Sequence, residues 1–482
     1  MLVGRDRELG ELSAALASGR GALFLLADEP GIGKTRLATE ACEVARDRSM
    51  RVAWGRCWEA GGAPAFWPWR EAFDALGVAF PDARALTTGD PIETRFTLFR
   101  EIAAALAREA SRAPIVIVLE DLHAADHSSL LLLELIAGQL RTMPVIVIGT
   151  YRPLEASLRP ECGDALARLG RTARVLPLAP LAAPEVAALV KDALDGADDA
   201  LAASVFATTQ GNPLFVDEIV RDLRARGRAA PSTIPLGVRE IIRQRLGLVS
   251  AEARRALEAA AVLGVELDPA IVERMIAGAG ALLDDARKSG LAIADGRRLR
   301  FTHALYREAL YHDLARPQRE ALHRDAARAL TAAGAPLVEI AHHLLEGGAD
   351  VAAPAIDHAI RAAEQALDAL AYEDALALLE RARAALPDDD APLRARVLLA
   401  LGEARIRAGD AAGRTLCVDA AAIARELGDA TLLARAALAY GAVLVMGAVD
   451  AVMVQLLEDA LAALGGAETP LRARVMARLA AA

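Results

Sequence analysis

Lysine is nearly absent from this chain: Lys34, Lys191 and Lys288 stand alone against 52 arginines in 482 residues. Where an Arg-biased sequence keeps Lys, a compact ammonium rather than a planar fork is the expected need, which singles out Lys34. Cysteine is scarce too. Cys42, Cys57, Cys162 and Cys417 are scattered, with no C-x-x-C pair and no clustered histidines. That spacing argues against a zinc site or a disulfide frame and for reduced thiols in a cytoplasmic protein. With 22 Pro, 36 Gly and 54% apolar residues, the chain is neither collagen-like nor disordered. Basic charge is not in excess: the net charge is −10, so no global field exists to hold nucleic acid or an anionic membrane. Long apolar runs are missing as well. The uncharged stretch Ala436 to Val449 has 14 residues, short of the ~20 that span a bilayer. No export segment opens the chain, since charge begins at Arg5.

What is present is length for three or four domains, at roughly 100–200 residues each. Residues 22–27 (ALFLLA) form a short apolar run of the kind found in buried parallel strands, and DEPGIGKTRLATEACEVA follows as a Gly-rich turn and a helical pattern. Two further runs, 115–121 (IVIVLED) and 144–152 (PVIVIGTYR), each follow a helix-like stretch, at 92–110 and 128–141. Alternating strands and helices predict a parallel α/β sheet over residues 1–175. Strand runs then cease. Residues 184–227 read as two or three helices around the break GNP (211–213), in a helical domain of residues 176–235. Residues 238–290 read as four short helices, and 291–301 as a hairpin turning at Asp295-Gly296, together a winged-helix module over 236–325. From 326 to 482 the pattern is Ala/Leu-rich helix. Turns at Ala371-Tyr372, Gly409-Asp410 and Gly447-Ala448 recur every 38 residues, as in a solenoid of tetratricopeptide-like repeats. The helical pattern still runs at Ala482 with no polar capping repeat, as expected of a fragment or a shortened reading frame.

The chemistry concentrates in three places. Gly31-Ile32-Gly33-Lys34-Thr35 closes a phosphate-binding loop: backbone N–H groups cradle phosphate, Lys34 reaches the β- and γ-phosphates, and the Thr35 hydroxyl binds Mg²⁺. The pattern G-x-x-x-x-G-K-[ST] wants Gly at position 28, where this chain has Asp28, a residue that tolerates left-handed backbone but repels phosphate. Glu120-Asp121 ends the second buried run, where one acid can hold Mg²⁺ and the other polarise an attacking water. Arg152 ends the third run, on the sheet edge where open α/β sheets bind ligands. It is either a γ-phosphate sensor or a solvated arginine.

Taken in order, VGRDREL (3–9), DEPGIGKTRL, VLEDLHAADHSSL (118–130), IGTYRP (148–153), TQGNPLFVDEIV (209–220) and LRFTHALYREALY (299–311) resemble the landmarks of one family. The chain is similar to the large ATP-binding regulators of the LuxR family, signal-transduction ATPases with numerous domains and an origin-recognition-type AAA module. The likeness is collinear from residue 3 to about 325. It implies a P-loop ATPase module, a helical lid, a winged helix and a repeat sensor, with ATP or ADP and Mg²⁺ as ligands. It further implies that Val3, Gly4 and Arg5 lie near adenine, that the loop Pro30 to Arg36 (Pro30, Gly31, Ile32, Gly33, Lys34, Thr35, Arg36) holds phosphate, and that Pro213 closes over the base. His303 in FTHAL matches a histidine that, in the wider class, reaches ADP from the winged helix. A satisfied core histidine is the plainer alternative.

Two departures stand out. The family often has Trp where this chain has Ala124, and full-length members end in a helix-turn-helix that does not occur here. The winged helix is not expected to replace it, because Asp284-Asp285 on its third helix repels DNA phosphate. The four tryptophans, Trp54, Trp58, Trp67 and Trp69, fall within sixteen residues. They form either a contact surface or a loop packed by its own aromatics. The function expected is a slowly hydrolysing ATP-dependent switch that self-associates and carries an effector on its repeats. A non-hydrolysing repeat scaffold with a decayed P-loop is the alternative, and a chain that itself reads DNA is disfavoured.

Overall fold

The computed structural model describes residues 2–58, 62–86, 91–194, 197–226, 246–247, 249–442, 450–466 and 468–481. They gather into two compact units, one of residues 1–80 with 102–329, the other of 81–101 with 330–482.

The first unit opens with helix α1 (Asp6–Ser18), then β1 (Ala22–Ala27), α2 (Lys34–Asp47), β2 (Arg51–Arg56) and α3 (Trp67–Ala75). Helix α4 (Pro91–Ala110), whose residues 91–101 belong to the second unit, precedes β3 (Ile115–Glu120). There follow α5 (His127–Gln139), β4 (Val145–Tyr151), α6 (Pro153–Ser157), α7 (Pro160–Gly170) and β5 (Arg174–Pro177). The five strands form one parallel sheet in the order β2-β3-β4-β1-β5. β3 is buried along its whole length, and the apolar side chains of α2 pack with Phe24, Val116, Val118 and Ile148. That two-sided burial explains the continuous apolar runs. β2 and β5 lie outside the runs expected from sequence. They are the edge strands, and β5 (Arg-Val-Leu-Pro) carries too little apolar patterning to announce itself.

A helical segment follows, α8 (Ala183–Ala193), α9 (Asp199–Thr209) and α10 (Pro213–Arg226), closed around Val186, Val190, Val205, Val216 and Ile219. Beyond it come helices Ala251–Leu263, Pro269–Met275 and Ala279–Lys288 with three short strands, β6 (Glu266–Leu267), β7 (Ala292–Asp295) and β8 (Arg298–Phe301). The strands pair antiparallel in the order β6-β8-β7, and the β7–β8 hairpin turns at Gly296, which has φ 60°. Between residues 249 and 290 the structure therefore has three helices and a strand. The remaining part of the expected four-helix stretch lies outside the described residues, as does most of the boundary at 235.

The second unit is helical. Successive helices begin at Ala352, Ala391, Ala430 and Pro470, a period of 39 to 40 residues, and the first three are each followed by a returning helix, Tyr372–Ala384, Gly413–Leu427 and Ala451–Leu464. The turns at Ala371-Tyr372 and Gly409-Asp410 fall between paired helices as expected, and Gly447-Ala448 lies outside the described residues. Residues 81–101 join this unit unexpectedly. Arg95 grips Glu373 with two bonds of 2.8 and 2.9 Å and lies over the Tyr372 ring. Among the described residues no helix is long and apolar enough to cross a membrane.

Candidate functional site

The turn between β1 and α2 is shaped by glycine. Gly31 and Gly33 have φ of 80° and 99°, a region that costs side-chain-bearing residues strain, and Gly33 caps α2. A Cβ on Gly31 would also lie 2.7 Å from Leu214. Four successive carbonyls of the loop are taken by protein donors. Pro30 O accepts from Asn212 Nδ2 (3.1 Å), Gly31 O from Leu214 N (3.3 Å), Ile32 O from Arg5 Nη2 (3.0 Å) and Gly33 O from Leu37 N (3.0 Å). With the carbonyls engaged on the protein side, the loop is left to offer N–H groups to an anion. Two of those donors, Asn212 and Leu214, stand at the start of α10, which thus fastens the loop from outside the sheet.

Lys34 is 7% exposed, and its Nζ donates to Asp28 O (2.6 Å) and Glu29 O (2.8 Å). Burial, reinforced by Arg152, lowers its pKa to about 8. Asp28 is not in the left-handed region, so no glycine is required there, contrary to the sequence expectation. Its carboxylate accepts from Glu29 N at 2.7 Å.

The acids stand where β3 ends. Glu120 is 3% exposed and takes the Arg56 Nε at 2.6 Å. Asp121 adopts φ 58°, and its N–H is held by Thr150 Oγ1 at 3.0 Å, so β4 fixes the strained tip of β3. Arg152, 8% exposed, contacts Glu155 at 3.4 Å and Glu308 at 3.2 Å.

These parts face one cavity of about 780 Å³, lined by Val3, Arg5, the loop from Pro30 to Arg36, Glu120, Asp121, Arg152, Pro213 and His303. Gly4 and Asp28, also singled out from sequence, are not on its wall. Burial first, then Arg221 and Arg300, lower the His303 pKa to about 4, which leaves the imidazole neutral near pH 7. His303 therefore sits on the cavity rather than inside a core.

Sequence reasoning missed a further part of the lining, formed by Arg56, Trp58, Trp67, Glu71, Glu266, Arg298 and Arg300. The signals existed: Arg56 is the last residue of β2, in register with Glu120, and two of the four tryptophans belong here. Trp58 and Trp67 meet edge to face at 6.1 Å. Trp69 is fully buried and Trp54 packs on the sheet core, so the tryptophan cluster divides between the two readings.

The donor set fits a nucleotide with Mg²⁺. A pinned Gly loop and a buried ammonium suit polyphosphate, and the apolar Leu2, Val3, Leu189 and Pro213 suit a base. Among the described residues no group of three or more His, Cys, Asp or Glu could hold a metal ion by itself. Mg²⁺ needs no such cage. Thr35, Glu120 and Asp121, with water and phosphate oxygens, would supply its oxygen ligands.

Comparison with known proteins agrees with this chemistry. Residues 1–148 match the family model of the AAA ATPase domain, which assigns that part of the chain to the class. Across nearly the whole chain the fold is similar to a Signal Transduction ATPase with Numerous Domains from Pyrococcus horikoshii, a protein with a tetratricopeptide repeat sensor. The TM-score is 0.51 at 14% identity, covering 99% of this chain and 73% of that one. The Aeropyrum pernix Orc1 protein, solved with DNA, reaches a TM-score of only 0.34 at 17% identity over 65% of this chain and 93% of its own. In sequence, an uncharacterized protein of Rhizobium meliloti (strain 1021) is 27% identical over 390 residues, 67% of this chain. The chain spans 36% of that relative's length.

Proposed function

We propose that this chain is an ATP-binding, slowly hydrolysing regulatory switch of the kind found in the LuxR-type ATPase regulators. The observation that carries the reading is the convergence of Lys34, Glu120, Asp121, Arg152 and His303 on one cavity, from four separate stretches of sequence. Lys34 and the loop hold the phosphates, Thr35 and Glu120 hold Mg²⁺, Asp121 orients the attacking water, and Arg152 senses the γ-phosphate. His303 serves as a neutral contact to ADP. In this reading the three helices and strands β6 to β8 are a winged helix acting as an intramolecular clamp. Its exposed Asp284 and Asp285 pair with Arg287 and Lys288, which leaves that helix no excess positive charge to hold DNA phosphate. The helical repeats are a tetratricopeptide-like sensor, and self-association follows opening. Moving such a switch from mostly closed to mostly open takes about 5.5 kcal/mol of differential binding, so a repeat-bound effector is required besides ATP.

Radiolabelled ATP binding and turnover test the reading directly. Asp121→Asn should keep ATP binding and slow turnover by about a hundredfold, since general-base assistance is worth at least that much. Turnover in Asp121→Asn equal to wild type would remove Asp121 from the role. ATP binding with no turnover in wild type would favour the non-hydrolysing scaffold.

A further inference from the structure

Strand β8 brings two arginines to the cavity, Arg298 and Arg300, and they differ in what they hold. Arg298 Nη1 donates to Glu266 Oε1 at 3.2 Å. Arg300 is the Cα partner of Glu266 across β6 and β8, but the other Glu266 oxygen is already taken by Arg56 Nη1 at 3.0 Å. Among the described residues the Arg300 side chain has no hydrogen-bond or ion-pair partner, and its Nε is buried. Three residues on, the buried His303 Nε2 also lacks a hydrogen-bond partner, with Glu218 Oε1 standing 4.0 Å from it. This corner is near the phosphate loop. Gly31 O accepts from Leu214 N, and Glu218 follows Leu214 on α10 by four residues, about 6 Å along the helix axis.

A guanidinium drawn partly out of water without a counter-charge costs free energy that an anion can return. The acids of the corner do not supply it, because Arg221 holds Glu218 at 3.2 Å and Asp217 at 2.5 Å. His303 adds no charge of its own: burial, then Arg221 and Arg300, keep the imidazole neutral near pH 7. What remains is one fully ionised planar fork on the wall of a cavity that also holds the Gly31–Thr35 loop and Lys34. Such a fork suits phosphate oxygens, which it can engage through two donors at once. We propose that Arg300 is a nucleotide-binding residue whose guanidinium donates to phosphate oxygens of bound ADP or ATP, a contact supplied by β8 rather than by the P-loop. Phosphate binding is thereby tied to the packing that keeps β8 at the cavity. The inference rests on the nucleotide-switch reading and adds a phosphate contact to it.

The test is equilibrium binding of labelled ADP to the full chain across a salt series. Arg300→Gln should weaken ADP by about thirtyfold, the worth of a hydrogen bond between charged groups, and its affinity should fall less steeply with salt than that of wild type. Arg300→Lys keeps the charge and loses the fork, so it should weaken ADP by about fivefold and retain the wild-type salt slope. Unchanged affinity in Arg300→Gln overturns the contact and leaves the nucleotide reading intact. So does a loss that keeps the wild-type salt slope, since a merely structural defect removes no charge from the ligand's surroundings. Absence of ADP binding in the wild-type chain overturns both. Should Arg300→Gln fail to fold, Arg300→Lys decides alone: the fivefold loss at an unchanged slope supports the contact, and wild-type affinity refutes it.

Discussion

On the loop side of the cavity, the carbonyls of Pro30, Gly31, Ile32 and Gly33 are fastened by four hydrogen bonds of 3.0 to 3.3 Å, two of them from backbone N–H groups. Elsewhere around the cavity the ties are ion pairs: Arg56 with Glu120 and Glu266, Arg298 with Glu266, Arg152 with Glu308. The first set fixes a shape. The second can exchange partners whenever a stronger charge arrives, because a phosphate competes for arginine and a divalent ion for carboxylate. One wall therefore presents a preformed cradle and the other a set of movable contacts. This division suits the nucleotide-controlled switch proposed above.

The sharpest way to break the comparison is Lys34→Ala. It removes the ammonium from the rigid wall and should weaken ATP by more than about a hundredfold, roughly 3 kcal/mol for a buried charged contact. Equilibrium binding of labelled ATP checks it, and unchanged affinity would move the phosphate site elsewhere.

A pH series then separates the walls. Lys34 has its pKa lowered to about 8 by burial, so ATP affinity measured in EDTA should fall as pH rises through 8, approaching tenfold per unit. Binding between pH 8 and 9 should be accompanied by proton uptake, measurable by calorimetry in buffers of different ionisation heat. His303 acts at the other end. Its folded pKa of about 4 lies below the ordinary 6.5, so the unfolded chain binds more protons in between. Stability present above pH 6.5 is therefore lost as pH falls towards 4, and His303→Gln should flatten that limb of the melting curve.

The smallest effect expected is at Asp28. Removing its charge beside Lys34 by Asp28→Gly should tighten ATP by about two- to threefold, with the gain shrinking as salt rises. A salt-independent gain would trace to the lost bond with the Glu29 N–H instead.

Where local patterning carried the information, the sequence was readable. ALFLLA, IVIVLE and VIVIGTY are strands because two-sided burial needs unbroken apolar runs, and GIGK turns between β1 and α2 because Gly31 and Gly33 take a positive φ without strain. The edge strands β2 and β5 were not legible, since half-exposed strands carry arginine and tryptophan as readily as valine. The tryptophans could not be sorted either. Trp69 is in a core and Trp58 on the cavity only because α3 packs where it does.

By itself the sequence determined the apolar periodicities, the glycine-lysine loop and the acids at the end of β3, all set by spacing along the chain, while the repeat read as 38 residues is 39 to 40 between helix starts. Tertiary structure alone decided that Arg56 shares its charge between Glu120 and Glu266, 210 positions away from it. It likewise decided that Arg152 faces Glu308 and that Asn212 pins Pro30. Such pairings depend on which elements are folded against one another. A charge carries no mark of its partner, because attraction between an arginine and a carboxylate depends on distance and burial rather than on sequence separation.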